Sequence, residues 1–249
     1  MNTATAPQLE TVEAQLARPY GLPLAFRLFK TDSCFKIAHD ILAGTTYPHV
    51  HFVDGVKTVL DIGANLGAAS AYFAQLYPHA RVYAFEPASA PFSLLKFNTV
   101  SFPNVVAFPF GFFAHDKQAP LYHGKADPVE SSVIPSHRTD SNCEQIQLVS
   151  APKFLAEQSI TKVDILKLDT EGCEVPVLRS LKNYLPDIKL LYVEYHSDRD
   201  RRLIDELMAE THILWRGHVP LAYRGEFSYL NRRLIPSETY TSEILLPLD

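Results

Sequence analysis

Residues 59–67 read Val-Leu-Asp-Ile-Gly-Ala-Asn-Leu-Gly, and no other run constrains the fold as strongly. Two apolar residues lead into an acid, then a glycine-bounded turn, then the small, helix-prone run Ala68-Ala69-Ser70-Ala71-Tyr72-Phe73. The pattern predicts a buried strand, a tight turn and a helix N-terminus, the repeating unit of parallel α/β sheets. Gly63 and Gly67 permit positive φ and a close approach of backbone to a ligand. A dinucleotide-binding turn spaces its glycines G-x-G-x-x-G and seats a pyrophosphate on the helix end. The spacing here is D-x-G-x-N-x-G, with Asp61 at the strand end. A carboxylate so placed repels phosphate and suits a ligand carrying an ammonium group. S-adenosylmethionine carries one, and a sulfonium as well. A ligand-free strand–turn–helix connection is the competing reading.

Downstream, strand and helix patterns alternate. Strands are expected at Thr58–Ile62, Arg81–Phe85, Val105–Phe110, Ile165–Leu168 and Leu190–Tyr195. Helices are expected near Leu66–Tyr77, Ala88–Val100, Glu174–Leu181 and Asp200–Glu210. The alternation implies a mostly parallel α/β sheet with helices on both faces. Upstream, residues 1 to about 20 are expected to be weakly ordered or to form a short helix around Val12–Leu16. A second is expected to be capped by Asp32, with Phe35, Ala38, Ile41 and Leu42 on its apolar face and its end near Gly44. Residues 1–56 thus read as an N-terminal extension packing on a core domain of 57–249. Between about 118 and 150, short runs separated by Pro, Gly, Asp and Ser predict a small antiparallel insertion. Ile213–Arg216 and Glu226–Arg233 are expected as two final antiparallel strands.

In α/β sheets ligands bind at the carboxyl ends of strands. Each strand here is followed there by residues that carry chemistry. Glu86-Pro87 ends the second strand, and a carboxylate at that point can accept both hydroxyls of a ribose. Asp169 and Glu171 bracket the turn after the fourth. Burying two carboxylates is costly unless they are paired, and three readings stay open for them: orienting a substrate hydroxyl near a sulfonium, holding a divalent cation, or a structural role with Lys167 as partner. Glu194 and His196 share a strand face at the end of the fifth. A neutral His196 would be a general base, with the carboxylate fixing its tautomer.

The bulk composition excludes several classes. A chain of 249 residues with 47% apolar content can build one large core. A net charge of -5 disfavours broad nucleic-acid binding, and the arginines at 199, 201, 202, 232 and 233 read as a solvated face. No stretch is apolar for the roughly 18–20 residues of a membrane span, and Met1–Pro7 lack the features of a signal peptide. Three cysteines without metal-ligand spacing point to reduced thiols and a cytoplasmic protein. The ten histidines include no H-x-x-x-H pair, so no metal site is expected. P-loop and nucleophile-elbow motifs are absent as well.

Taken in order, V-L-D-I-G-A-N-L-G, V-Y-A-F-E-P, D-I-L-K-L-D-T-E-G-C-E-V-P-V-L and L-L-Y-V-E-Y-H resemble the FkbM-type S-adenosylmethionine-dependent methyltransferases, from roughly Thr58 to His196. The resemblance implies a class I methyltransferase (Rossmann-like) sheet of six parallel strands and one antiparallel. It implies O-methylation of a hydroxyl on a sugar, glycolipid or polyketide-type small molecule. Alternative acceptors are an amine, a carboxylate or RNA, and a non-catalytic cofactor-binding scaffold also stays open. Asp61, Gly63, Asn65, Gly67 and Ser70 match the cofactor loop and the helix that follows it. Glu86 and Pro87 match the ribose site. Asp169, Glu171, Glu194 and His196 match the catalytic acids and histidine. Where the family often reads A-x-S-D, this chain has Gly111-Phe112-Phe113-Ala114, so Phe112 or Phe113 is expected to stack on the adenine. Trp215, Tyr223, Phe227 and Tyr229 are expected either to shape the acceptor pocket or to join the core.

Overall fold

A computed structural model describes residues 10–17, 23–124, 131–133 and 139–235, and the observations below concern those residues. The chain begins with a hairpin, β1 (Thr11–Leu16) and β2 (Leu24–Phe29), and a helix, α1 (Asp32–Leu42). Then follow β3 (Thr58–Ile62), α2 (Ala68–Leu76), β4 (Arg81–Phe85), α3 (Ser89–Thr99) and β5 (Val105–Phe108). A small sheet comes next, from β6 (Gly111–Phe113), β7 (Lys117–Gly124) and β8 (Thr139–Ser150). The chain then runs through α4 (Ala151–Glu157), β9 (Ile165–Leu168), α5 (Glu174–Ser180) and β10 (Leu190–Tyr195). It continues through α6 (Asp198–Met208), β11 (His212–Leu221) and β12 (Arg224–Asn231).

The principal sheet has seven strands in the order β11-β12-β10-β9-β3-β4-β5. Neighbours from β5 across to β10 are parallel, and β12 runs antiparallel to both β10 and β11. Six strands therefore share one direction and β12 opposes them. The central strands are buried on both faces, as near-continuous apolar runs require. Their period of two sends alternate residues to opposite layers. Val59, Ile165 and Leu190 join one core with Leu42 and Phe73 from α1 and α2. Leu60, Leu166 and Leu191 join the other with Leu155, Leu178 and Ile204 from α4, α5 and α6.

The same periodicity produces the pair at the centre of the molecule. Asp61 and Lys167 stand opposite each other in the parallel β3–β9 register, so both fall on one face. Lys167 Nζ lies 3.3 Å from Asp61 Oδ1, with the two side chains 4% and 0% exposed.

Several local expectations are corrected. Val12–Leu16 lies within a strand, since pairing with β2 overrides the weak helical preference of so short a run. Helix α1 is capped by Thr31, whose side chain accepts from the Cys34 N–H, and Asp32 falls inside the first turn. Phe35 is exposed, and Cys34 takes the buried position beside Ala38, Ile41 and Leu42. The third parallel strand stops at Phe108, because Gly111–Phe113 departs to pair with β8 in the small sheet. The insertion is indeed antiparallel between β7 and β8, with β6 added in parallel. Within the insertion Ser132 also forms an antiparallel bridge to Tyr122.

Candidate active site

The first turn is built by close packing against the protein itself. Gly63 and Gly67 have φ of +79° and +90°, the region that favours glycine. A Cβ on Gly63 would lie 1.7 Å from the Asp169 carbonyl oxygen, and one on Gly67 would lie 2.8 Å from Leu95 Cδ1. The close approach is thus to the Asp169 backbone and the Leu95 side chain, while Gly63 also borders the open space in front of the turn. Asp61, expected to meet a ligand, is enclosed instead. It is fully buried, with Oδ2 accepting from Ser70 Oγ at 2.6 Å and Oδ1 facing Lys167. Lys167 Nζ also donates to the Gly63 carbonyl at 2.6 Å. Burial draws the Lys167 ammonium down, and the Asp61 and Asp169 carboxylates more than offset it, leaving its pKa raised. Asp61, Ser70 and Lys167 form a buried brace behind the turn, with no exposed surface on Asp61 or Ser70 to meet a ligand.

In front of the turn, three cavities meet, and each is lined by both Asn65 and Asp169. The first, about 80 Å³, is walled by Glu86, Pro87, Phe112 and Ile146. The second, about 480 Å³, lies between α1, β10 and the β11–β12 hairpin. The third, about 50 Å³, separates α1 from the turn. Asn65 sits at φ 50°, and its Oδ1 is buried without a hydrogen-bond partner among the described residues.

Glu86 reaches the first cavity from the end of β4. Its Oε2 accepts from the Asn65 N–H and its Oε1 from the Ala88 N–H, both at 2.8 Å. Each carboxylate oxygen can accept one further hydrogen bond. Burial pushes its pKa up to about 7, against the opposing pull of those two N–H groups. Phe112 is 1% exposed and packed 4.3 Å from Phe85, centroid to centroid, so it forms a fixed apolar wall.

At the other side of Asp169 lies a network of charges. Asp169 and Glu194 directly follow the paired Leu168 and Val193 at the strand ends, and Glu226 stands directly opposite Glu194 on β12. His196 sits among three carboxylates: Nε2 lies 3.1 Å from Glu171 and 3.5 Å from Glu194, and Nδ1 lies 3.3 Å from Glu174. These are ion pairs without the angles of hydrogen bonds. Burial lowers the imidazole pKa, but the three carboxylates dominate and raise it far above 6.5. The three carboxylates thus favour the imidazolium. That sets the surroundings of His196 against the neutral general base expected of it, because a base must have a lone pair to offer.

Two members of this network were missed in the sequence. Glu174, the first residue of α5, is fully buried and accepts from the N–H groups of Thr170 and Gly172 and from Thr170 Oγ1. Burial opposes its ionisation, but His196 and these donors leave its pKa below the usual range. Its signal was the third acid in Asp-Thr-Glu-Gly-Cys-Glu. Arg224 pairs with both Glu171 and Glu194. It enters from a hairpin far along the chain, and no local pattern marks it. Despite burial, His196 and Arg224 hold Glu194 down at about 2. Asp169 behaves oppositely: burial and the neighbouring Glu194 charge raise its pKa well above the usual carboxylate range. Of the aromatics, Phe227 and Tyr229 are buried in the core, whereas Trp215 and Tyr223 are exposed on the hairpin.

Asp169, Glu171 and His196 also converge closely enough to hold a metal ion. The donor set fits one poorly, since His196 holds its proton between carboxylates and Glu171 is already paired with Arg224 and His196. The site fits S-adenosylmethionine better. Glu86 offers acceptors for a diol, Asn65 has an unsatisfied amide oxygen, and acids outnumber cations around Asp169.

The sequence matches the methyltransferase FkbM domain over residues 61–216. The chain belongs to the FkbM methyltransferase family. It is 25% identical over 182 residues to the methyltransferase sdnD of Sordaria araneosa, covering 61% of this chain and 65% of that protein. It is 24% identical over 151 residues to the hexuronic acid methyltransferase AglP of Haloferax volcanii, covering 60% of each. The chain thus spans less than two thirds of these relatives' lengths. Fibrillarin from Methanococcus jannaschii aligns in structure with 11% identity and a TM-score of 0.47, over 93% of this chain and 86% of that one. The seven-stranded sheet, with its one reversed strand, is the class I Rossmann-like arrangement expected of this family. Among the described residues no helix is long and apolar enough to cross a membrane.

Proposed function

We propose that this FkbM-family protein uses S-adenosylmethionine to methylate a hydroxyl of a small polar molecule, of the sugar, glycolipid or polyketide type. The observation that carries the proposal is the meeting of three cavities at Asn65 and Asp169. The first suits the adenosine, with Glu86 accepting from the ribose hydroxyls and Pro87 and Phe112 walling the base. The third, under α1, suits the amino-acid end. The second is large enough for the acceptor. Bound there, the cofactor supplies an electrophilic methyl group on a sulfonium.

Asp169 stands where acceptor and cofactor would meet and is the base in this reading. It would accept the acceptor's O–H as a hydrogen bond and take the proton as the oxygen is methylated, with the cofactor held by Glu86 and Asn65. An alcohol is too weakly acidic to lose its proton unaided near pH 7, so the base contributes about 10²–10⁴ in rate. Alignment of the oxygen with the methyl group supplies much of the remainder. Glu171, Glu194, His196 and Arg224 form the rigid, ion-paired wall that places Asp169, and the excess of acid favours a cationic cofactor.

The test is transfer of labelled methyl to glucose, glucuronic acid and a polyketide alcohol, with and without EDTA. Transfer is expected to survive EDTA and to fall about 10²–10⁴-fold in Asp169→Asn. An alkali-stable product marks an ether. An alkali-labile product marks a carboxylate acceptor, the alternative raised by the hexuronic acid relative, and would overturn the hydroxyl reading. If calorimetry detects no binding of S-adenosylmethionine, the whole assignment fails.

A further inference from the structure

The large cavity between α1 and the β11–β12 hairpin is lined by five acids, and four of them have charge partners on the protein. Asp169 lies 3.8 Å from Lys167, Glu171 and Glu194 share Arg224 and His196, and Asp40 is paired with Lys36. Glu226 is the fifth, and it has no hydrogen-bond or ion-pair partner among the described residues. Its place is set by register. It stands across from Glu194 on one side and His218 on the other, so its side chain shares the cavity-facing side of β10 and β12 with Glu194, Tyr192 and Ser228. Glu194 and Glu226 are thus cross-strand neighbours, and Asp169, the residue after β9, lines the same cavity.

A half-buried carboxylate facing a like charge, with no donor of its own, is an uncompensated cost to the fold. Burial and Glu194 both oppose its ionisation, and Arg216, His218 and Arg224 offset them only in part, so its pKa is raised. The brace at Asp61 and the network at His196 show how this protein satisfies acids that serve its own structure. Glu226 departs from that pattern while lining the cavity in which an acceptor would lie.

Building on the methyl-transfer reading, we propose that Glu226 is a specificity-determining residue that accepts a hydrogen bond from a donor group of the acceptor next to the methylated atom. The group is a hydroxyl or an ammonium. An acceptor offering only an ether, ester or alkyl group there leaves the carboxylate buried and unpaired, and is rejected for that reason. The shared cavity puts the reacting oxygen at Asp169 and the second donor toward Glu226, with Glu194 held silent by Arg224.

The experiment measures binding of glucose, 2-deoxyglucose, 3-O-methylglucose and glucosamine to the protein saturated with S-adenosylhomocysteine, for wild type, Glu226→Gln and Glu226→Ala. Wild type is expected to bind glucose or glucosamine, and the Ala variant to bind the preferred probe about 10-fold more weakly, as for a lost hydrogen bond to a charged group. The Gln variant separates the two sources. It retains an acceptor oxygen and so keeps most of the affinity for a hydroxyl, but it loses an ammonium as fully as Ala does. Affinity for S-adenosylhomocysteine and the melting temperature report that the variants are folded and that the cofactor site is intact. Equal binding of all four sugars by wild type and Ala overturns the proposal, as does failure of wild type to bind any of them. Either result leaves cofactor binding, and hence the methyltransferase assignment, standing.

Discussion

At the scale of single residues, His196 and Glu86 carry charges whose consequences differ in sign. His196 is an imidazolium among three largely buried carboxylates. Removing one partner of such a cluster strands the others, so His196→Gln should cost about 3–5 kcal/mol in urea unfolding. Its native pKa is raised, so its contribution is full below the unfolded value of about 6.5 and shrinks as pH climbs toward the native value. The wild-type margin over the Gln variant should therefore be widest below pH about 6.5, and no imidazole limb should appear in the pH–rate profile near neutrality. A clear limb at that pH, abolished in the variant, would restore His196 as a base. Glu86 is an acid raised to about 7. The native state holds its proton more firmly than the unfolded chain between about 4.5 and 7, so this group's effect on stability worsens as pH rises across that window. Ribose hydroxyls donate to the ionised form. S-adenosylhomocysteine should accordingly bind more weakly as pH falls through about 7, releasing a proton at neutrality. Calorimetry in buffers of different ionisation enthalpy measures that proton directly, and identical heats would count against the ribose role.

At the scale of elements, the turn after β3 and the start of α1 show how local chemistry is fixed by neighbours. The acid–glycine pattern was legible as a strand–turn–helix, but its glycines serve packing against Asp169 and Leu95, which arrive from other strands and helices. Helix α1 roofs the third cavity, and its N-cap matters for that reason. Thr31 accepts from the Cys34 N–H at 3.1 Å, whereas Asp32 only faces the helix dipole. Thr31→Ala should destabilise the protein by about 1 kcal/mol, and Asp32→Ala by a smaller amount, about 0.3–0.5 kcal/mol. Paired thermal melts compare the two. A larger loss at Asp32 would return the cap to that residue.

For the whole molecule, the N-terminal region is inseparable from the core. Phe26, Leu28, Leu42, Tyr47 and Val56 share one apolar cluster with Val59, Phe73 and Tyr192 of the principal sheet and α2. Cutting the chain before residue 57 would expose that face and delete the roof of two cavities. The truncated chain should lose cooperative thermal unfolding, as a core stripped of one layer does. A sharp melt near that of the full chain would show a self-sufficient core domain.

The sequence by itself determined the five parallel strands, the helices α2, α3, α5 and α6 and the acids at the strand ends, because those features follow from periodicities of two and 3.6 residues and from glycine. Glu86, Asp169, Glu171, Glu194 and His196 were all found that way. Only the tertiary structure decided what each one does. A protonation state depends on which charges arrive within a few ångströms, and those came from afar: Lys167 across the sheet to Asp61, Glu174 from a helix start to His196, and Arg224 from the last hairpin to Glu194. The same contacts that deny His196 a lone pair leave Asp169 and Glu226 facing the cavity, a division of labour set by strand register that no local pattern of residues encodes.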